Sequence, residues 1–547
     1  MPDPLKLADE ALDREDFSTA AKILEEHLQS NPVDIRALSL KCFAEIALAR
    51  FDTARETAQR IGNIDSSSFE FHQAMGALLT DDPSFPKEMG TIQRAIDHME
   101  EAIRIADSRP SLTTLVRSDL HYNLANARHQ LYLSRRVSPK WSLAEILDAH
   151  SDAMAAFGAA LKANPENVEA WVNKGNLLDE AGRHIESLDC YEEALRLNPK
   201  HSMARGNRGV AFARLASDLP DQYRNSCLRE AGFFLRAAMS AGEFRQRCES
   251  EVRLNRFVTN ILELDLFEDA EIVVTHFLTH ARSTAQLPRG LGRVKPPDFR
   301  RFADAVTKSY RLKLAFSEDF LLQSSTAEEW VDFPSFLSQM KHMPADTRVF
   351  VVALIDRYRT ARNLLVLSLA SISEFDVLSA PDRTGFPSFS MNEEMLKDAL
   401  KTAVDLLDSV AHLLVRVCGY HPQGRITFGG PNSLFSKTTV FQDNRENQQL
   451  LAIASLSREI SRGEYVWLDG FRNARTHEYL LFRSTTDPVG QLQGTDEYHL
   501  VGTDEFLERA VRGLRITRAA ILHTILFVFG LESEEECAGV PAGRDSD

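Results

Sequence analysis

The stretch NPENVEAWVNKGNLLDEAGRHIESLDCYEEALRLNP, residues 164–199, decides the fold of the first half of the chain. It begins and ends with Asn-Pro, so that Pro165 and Pro199 stand 34 residues apart. Between the prolines, small and aromatic residues alternate along two helical segments, at Trp171, Gly175, Tyr191 and Ala194. Small side chains let the helices of a hairpin approach closely, large ones fill the space beside them, and proline ends the second helix. The stretch therefore predicts a helical hairpin with a period of 34 residues.

Weaker copies of this register extend over residues 1–282. The matching positions include Ala8, Ala20, Ala54, Gly76, Ala95, Met99, Ala125, Phe157, Gly209, Phe212, Ala231 and Leu235, and residues 267–277 match a last second helix. The array resembles the tetratricopeptide repeat (TPR) family, with about six to seven repeats, two of them carrying insertions. The resemblance implies a concave helical solenoid that binds a protein or peptide partner. The alternative is a spacer or a dimerisation arm.

The second half predicts a different helical domain. Residues 283–298 are rich in proline and glycine and predict a linker. From 299 to 531 apolar residues recur at spacings of three and four, without a convincing alternating strand. We expect a bundle with helices at 298–322, 349–375, 391–420, 447–462, 468–483 and 504–530, the third capped by Asn392. The acidic residues 532–547 predict a disordered tail. For the chain as a whole, we predict an all-α fold.

The composition narrows the classes of function. The net charge of −16 disfavours a protein that scans DNA through a global basic field, but it leaves room for a local cleft for RNA. The six cysteines form no CxxC pair, which favours reduced thiols in a cytoplasmic protein over disulfides or a zinc site. No apolar run reaches the length of a membrane span and no secretory signal is evident. We expect no metal and no cofactor.

The stretch LDGFRNARTHEYLLFR, residues 468–483, places Arg472, Asn473, Arg475 and His477 within six positions of a predicted helix. Asn473 and His477 are four residues apart, so they share one helix face and the amide can orient the imidazole. Arg472 and His477 lie about 140° apart around the axis, so only the long arginine stem lets both reach one phosphate. At average composition, three fixed positions of these residue types would occur by chance in only about 3 of a hundred chains of this length.

A bundle with Arg-Asn-x-x-x-His on a late helix resembles the HEPN superfamily (higher eukaryotes and prokaryotes nucleotide-binding), many of whose members are metal-independent ribonucleases. The resemblance covers residues 300–530 and includes KTAVDLLDSVAHLL with Asp408, as in a bacterial HEPN subgroup that follows TPR-like repeats. That subgroup more usually carries a glutamate before the motif histidine, where this chain has Thr476. HEPN ribonucleases are typically dimers, so the resemblance implies a homodimer with two copies of the motif in one groove.

The resemblance implies cleavage of RNA by its own 2′-hydroxyl, leaving a 2′,3′-cyclic phosphate. His477 suits the proton transfer because imidazole titrates near neutrality. Arg472 suits the phosphate because its planar guanidinium donates two charge-assisted hydrogen bonds. Arg475 is a further candidate for phosphate binding, and Asp408 is a candidate supporting residue that pairs with the motif region. By resemblance, such proteins act in bacterial anti-phage defence, as in abortive infection, or as toxins.

Other interpretations stay open at this point. The chain could be a non-catalytic adaptor that binds partners through its TPRs and nucleotide through its HEPN bundle, or a toxin paired with a nucleotidyltransferase antitoxin. The glycines of GRITFGGPNS, 424–433, lack the lysine-ended phosphate-loop pattern and predict a mobile loop. The histidines show no metal-ligand spacing.

Overall fold

A computed structural model gives the architecture of the chain. It describes residues 3–12, 14, 16–83, 88–109, 112–219, 221–240, 242–264, 299–314, 343–370, 391–420, 424–430, 433–437, 447–468, 479–483 and 498–539. The chain divides into two compact units, Met1–Leu177 and Leu178–Asp547.

Neighbouring helices pack on each other within residues 4–163 of the first unit and within residues 184–239 of the second unit. The helices up to residue 239 are α1 (Pro4–Leu12), α2 (Phe17–Ser30), α3 (Ile35–Ala47), α4 (Phe51–Ile64), α5 (Phe69–Asp81), α6 (Met89–Asp107), α7 (Thr114–Arg136), α8 (Leu143–Ala163), α9 (Val168–Glu180), α10 (His184–Leu197), α11 (Ser202–Ser217) and α12 (Asp221–Met239). Two shorter helices follow, α13 (Glu243–Ser250) and α14 (Val252–Leu262). The predicted hairpins are therefore present, whereas the proposed helix at 267–277 and the linker at 283–298 lie outside the described residues.

Local sequence explains where these helices begin and how closely they pack. Asp34 accepts a hydrogen bond from the Ala37 amide, and Ser142 forms a capping box with Glu145, so side chains satisfy the free amides of the first turn. A Cβ atom at Gly76 would lie 2.6 Å from Met99 of the next helix. The predicted small positions thus bring paired helices into direct contact.

The second half contains further helices and a short two-stranded sheet. The helices are α15 (Phe299–Ser309), α16 (Ala345–Leu369), α17 (Met391–Val417), α18 (Gln448–Arg462) and α19 (Thr503–Gly539), together with a single turn, Leu434–Lys437. The strands are β1 (Tyr479–Arg483) and β2 (Tyr498–Gly502). The long helices α16 and α17 pack along each other, and α19 packs against α16, α17 and α18. The all-α fold class is confirmed, with this sheet as a local exception.

Three predicted boundaries need correction. α15 ends at Ser309 rather than at 322, because Arg311 adopts a positive φ of 55° and donates from Nη1 to the Asp189 carbonyl at 2.8 Å. Asn392 lies inside α17 and is not its cap, because its buried amide donates to the Ala370 carbonyl at 3.4 Å. α19 continues to Gly539, eight residues into the predicted tail, since the glutamates after Leu531 suit a helix.

The predicted helix at 468–483 is wrong for its last part. Tyr479–Arg483 forms a strand that pairs in parallel with Tyr498–Gly502, with Leu481 opposite Leu500. The run YLLFR shows no alternation, so its hydrophobic pattern fits a buried helix turn and a buried strand equally well. The strand forms because Tyr498–Gly502, which follows later in the chain, pairs with it.

The last helix contains a long apolar stretch. Asp504–Leu531 has the length and composition of a membrane span, yet most of this stretch is buried inside the protein. Burial of this kind is expected for the central helix of a bundle, and no membrane span is indicated among the described residues.

Candidate functional site

The predicted motif residues lie just outside the described residues. Arg472, Asn473, Arg475 and His477 belong to residues 469–478, which separate the end of the α18 region from strand β1. We call residues 469–478 the motif segment. The structure describes the residues directly before it and directly after it.

On its N-terminal side, the segment 463–468 is fixed to α18 and α19. The Glu459 carbonyl in the last turn of α18 accepts the amides of Gly463 at 2.8 Å and Tyr465 at 3.2 Å. Glu464 forms an ion pair with Arg512 of α19 at 3.7 Å. Leu468 is buried beside Gly513 of the same helix. These contacts fix the backbone of residues 463–468, immediately before the motif segment.

Two arginines of α19 contact residues 463–468. The Arg509 guanidinium lies over the Trp467 ring at 5.9 Å from its centroid, while its amino group bonds to Glu505. Arg512 also pairs with Glu508 at 3.3 Å. Each of these two arginines is therefore paired with a glutamate.

On its C-terminal side, the motif segment runs directly into β1. Tyr479 is paired with Tyr498 in the parallel register, and β2 continues without a break into α19 at Thr503. The described residues before position 469 are thus held by a helix junction, and those after position 478 by strand pairing with β2.

Asp408, the predicted supporting residue, contacts a glycine-rich segment. Its carboxylate on α17 accepts the Phe428 amide at 2.9 Å. Ser433 donates to the Phe428 carbonyl at 3.1 Å, and Ser457 of α18 also donates to it. A Cβ atom at Gly429 would lie 2.4 Å from Ile460.

Residues 424–430 are thus fixed between α17 and α18. Ile426 and Phe428 are almost completely buried, at 3% and 1% exposure, so the prediction of a mobile loop is wrong for these residues. The reason is non-local, since Asp408 of α17 and Ser457 of α18 satisfy the backbone of Phe428 and Ser461 of α18 accepts the Gly430 amide. A pairing of Asp408 with the motif region stays a prediction, because the motif is outside the described residues.

Among the described residues, no three His, Cys, Asp or Glu side chains form a cluster that could hold a metal ion. The described cysteines do not form disulfides, and burial raises the pKa of the Cys42 thiol to about 12 and that of Cys418 to about 11. These thiols are therefore protonated at neutral pH and are poor nucleophiles.

Two parts of the chain match known protein families. Residues 339–530, which include the motif segment, match the model of the LA2681-like HEPN family, and residues 168–201 match the tetratricopeptide repeat. The chain carries an LA2681-like HEPN domain. Both sequence resemblances are confirmed, although the HEPN match begins later than the predicted residue 300.

Solved structures similar to this chain are TPR proteins. TTC0263 of Thermus thermophilus has 18% identity and a TM-score of 0.30, with 38% of this chain and 96% of that chain covered. PilF of Pseudomonas aeruginosa has 15% identity and a TM-score of 0.31, covering 45% and 95%. YrrB, described as a TPR protein with an unusual peptide-binding site, has 18% identity and a TM-score of 0.25, covering 40% and 92%. No curated protein matches the chain.

One buried contact of α18 was not predicted from sequence. Arg183, which precedes α10 in the TPR hairpin, forms a buried ion pair with Glu459 of α18. The same Glu459 holds residues 463–468 through its carbonyl. No periodicity or motif marks this pair, because the two residues are 276 positions apart.

Proposed function

We propose that the chain is a metal-independent endoribonuclease whose HEPN domain cleaves RNA through attack by the 2′-hydroxyl. The observation that carries the proposal is the position of Arg472, Asn473 and His477 within the LA2681-like HEPN match. Ordered residues flank the motif in the chain, with 463–468 before it and strand β1 after it.

Each motif residue has a proposed role. His477 accepts the proton of the 2′-hydroxyl as that oxygen attacks phosphorus, and it donates a proton to the 5′-oxygen as the bond from phosphorus to that oxygen breaks. Arg472 binds the phosphate oxygens and stabilises their charge in the transition state, and Arg475 adds a second contact. Asn473 orients the imidazole. Two copies of the chain pool their motifs in one groove, so the active species is a homodimer.

The TPR half is proposed to bind a protein or peptide that controls the nuclease. TPR repeats commonly bind such partners on the concave face of their solenoid. An unrestrained ribonuclease is hazardous to its host, so a control element beside it fits a cytoplasmic enzyme of bacterial anti-phage defence or a toxin system.

Purified protein incubated with total RNA and EDTA tests this proposal. We expect cleavage that persists in EDTA and is lost in His477→Ala. His412→Ala is the matched control, because His412 is an exposed histidine of α17 in the same domain. Full activity of His477→Ala would remove the catalytic assignment. Absence of cleavage in wild-type protein, alone and with candidate activators, would favour the adaptor that binds partners and nucleotide.

A further inference from the structure

One side of α7 carries only polar side chains. Positions i, i+3, i+4, i+7, i+10 and i+11 lie on the same side of a helix, and in a packed helix this spacing usually carries apolar residues. Here it carries the residues that we call the α7 polar face: Asp119, Tyr122, Asn123, Asn126, His129 and Gln130. The leucines that α7 buries, Leu120, Leu124 and Leu131, lie on the opposite side of the helix. The apolar core therefore explains the other side of α7 but not this one.

Helix α9 is joined to the α7 polar face by side-chain hydrogen bonds. Asn173 Nδ2 donates to the Tyr122 hydroxyl at 2.9 Å and to Asn126 Oδ1 at 3.1 Å. Asn176 donates to Asn173 Oδ1 at 3.2 Å, so the row of amides continues along α9. All of these residues belong to the first compact unit. The bonds fix the two helices side by side and make one polar surface of them.

Several groups of the α7 polar face have no partner within the described part of the chain. The side chains of Asp119, Asn123 and Gln130 form no hydrogen bond or ion pair there. His129 Nε2 is shielded from solvent and also lacks a hydrogen-bond partner among the described residues. Burial lowers the pKa of His129 to about 4, so its imidazole is neutral at pH 7. An enclosed polar atom of this kind costs free energy, which a bound molecule that supplies a partner would recover.

The charge on this surface is negative. The Asp119 side chain is exposed, yet enclosure by the surrounding protein raises its pKa to about 6. Burial raises the pKa of Tyr122, and the negative charges of Glu169, Asp81 and Asp119 raise it further. Three carboxylates from three helices therefore act on one hydroxyl group. They are ionised at pH 7.5 and favour a cation beside it.

The arginines of α7 do not neutralise Asp119. Arg117 and Arg128 lie on the opposite side of the helix, where they pair with Asp107 at 2.6 Å and with Glu100 at 2.7 Å. The last residue of the helix, Arg136, lies more than a turn beyond the α7 polar face. Asp119 thus lacks the cation that the structure gives to other acids around α7.

These properties define the chemistry of a bound molecule. An extended protein segment exposes one backbone donor and one acceptor per residue, which match the side-chain amides of Asn123 and Gln130. A lysine or arginine in that segment supplies the positive charge that Asp119 lacks. Acidic segments and the phosphates of RNA fit poorly, because the carboxylates on this surface repel them.

We propose that the α7 polar face binds an extended segment of a partner protein, with a lysine or arginine of that segment paired with Asp119. The inference rests on the proposed partner-binding role of the TPR half and specifies the chemistry of the partner. It does not depend on the proposed cleavage of RNA.

Selection from a library of random dodecapeptides displayed on phage, with the full-length chain as bait at pH 7.5, tests the proposal. We expect the selected sequences to share a lysine or arginine at one position. A synthetic peptide with the consensus sequence should bind Asp119→Asn about fivefold more weakly than wild type, because its cation loses the carboxylate. The melting temperature of Asp119→Asn should not fall, since Asp119 has no partner among the described residues.

Glu26→Gln is the matched control. Glu26 is an exposed acid of α2 without an ion pair to a described residue, so this variant loses the same charge far from α7 in the sequence. Its affinity for the consensus peptide should stay within about twofold of wild type. Replacing the selected lysine or arginine of the peptide by alanine should weaken binding to wild type about fivefold and cause little further loss in Asp119→Asn.

A consensus without a basic position, or no selected peptide at all, would overturn the proposal. Equal affinities of wild type and Asp119→Asn would also overturn it, as would additive losses in the peptide and protein variants, because the cation would then bind elsewhere. None of these measurements uses RNA. Failure of the wild type to cleave RNA therefore removes only the ribonuclease proposal and leaves the binding result to decide this one.

Discussion

The imidazole Nε2 of His523 lies 3.0 Å from the carboxylate of Glu186, and both groups are enclosed between α10 and α19. Its Nδ1 lies 3.0 Å from Gln449 Oε1. Burial lowers the pKa of His523 below its usual 6.5, although Glu186 opposes this shift. The contact therefore makes the stability of the second unit sensitive to pH.

Acidification is expected to destabilise the protein in two steps. Below about pH 6.5 the unfolded chain protonates His523 more readily than the folded one, so the free energy of unfolding falls by up to about 1.4 kcal/mol per pH unit. The contribution of Glu186 is complete above pH 4.5 and is lost as the pH falls toward 2. Urea unfolding at pH 7.5, 6 and 5 measures the first step. His523→Gln should weaken the dependence of the free energy of unfolding on pH in this range, and His412→Gln should leave it unchanged. The same pH dependence in wild type and His523→Gln would contradict the assignment.

Gly182→Ala should destabilise the second unit more than Gly419→Ala. Both glycines have positive φ, +76° and +63°, so each substitution costs about 1 kcal/mol of backbone strain. Only Gly182 faces a backbone oxygen, that of Gln448, at 2.6 Å, whereas nothing lies within 4 Å of Gly419. We expect an additional cost of about 1–3 kcal/mol for Gly182→Ala in thermal unfolding. Equal losses in the two variants would show that the Gln448 contact does not constrain the turn.

Gly206→Ala is expected to disrupt the packing of α11 on α13. Its Cβ would lie 2.0 Å from the Phe244 ring, which is fully buried, so the helices must separate at a cost of about 2–3 kcal/mol. Gly90→Ala is the matched control, since that helical glycine has open space and alanine favours a helix by up to about 1 kcal/mol. Melting temperatures should therefore move in opposite directions, and a neutral Gly206→Ala would refute the predicted clash.

Asp408→Ala should release the segment 424–430 from α17. Removing the carboxylate leaves the Phe428 amide without this acceptor, a loss of about 1–2 kcal/mol. Asp408→Asn retains an oxygen at the same place and should be close to wild type. Hydrogen exchange at Phe428 measures the difference. Slow exchange in Asp408→Ala would mean that the serine contacts alone hold the segment.

Products of the proposed cleavage should carry 2′,3′-cyclic phosphates and 5′-hydroxyls, because the 2′-hydroxyl of the RNA is the nucleophile. The RNA ends can be sequenced after expression of wild type and of His477→Ala, with and without enzymatic opening of cyclic phosphates. The comparison identifies the chemical groups at the cleaved ends. Fragments with 3′-hydroxyl ends would point instead to attack by water.

The sequence was informative where a signal is local. The spacing of Pro165 and Pro199 and the small residues between them identified the hairpin that the TPR model matches. The order Arg-Asn-x-x-x-His within an apolar bundle identified the HEPN domain. Both patterns depend on residues within a few helical turns of one another.

Contacts between distant residues were not predictable in this way. Strand β1 needs β2 as its partner, and the pattern of YLLFR alone does not distinguish a strand from a helix. The pair of Arg183 and Glu459 has no sequence signature, since arginine and glutamate are common on helices that face water. Arg311, just beyond the end of α15, binds Asp189 and Glu192, which lie more than a hundred residues earlier in the chain. In each case tertiary structure overrides a local preference.

The buried arginines and acids between α10 and the bundle also bear on how such proteins evolve. A gene fusion that joined the HEPN coding region to an unrelated sensor at residue 283 would leave Glu459 and His523 without Arg183 and Glu186. The smallest heritable module therefore starts upstream of α10, inside the repeat array. A recombined gene therefore keeps these buried pairs only if the region of α10 is inherited together with the HEPN domain.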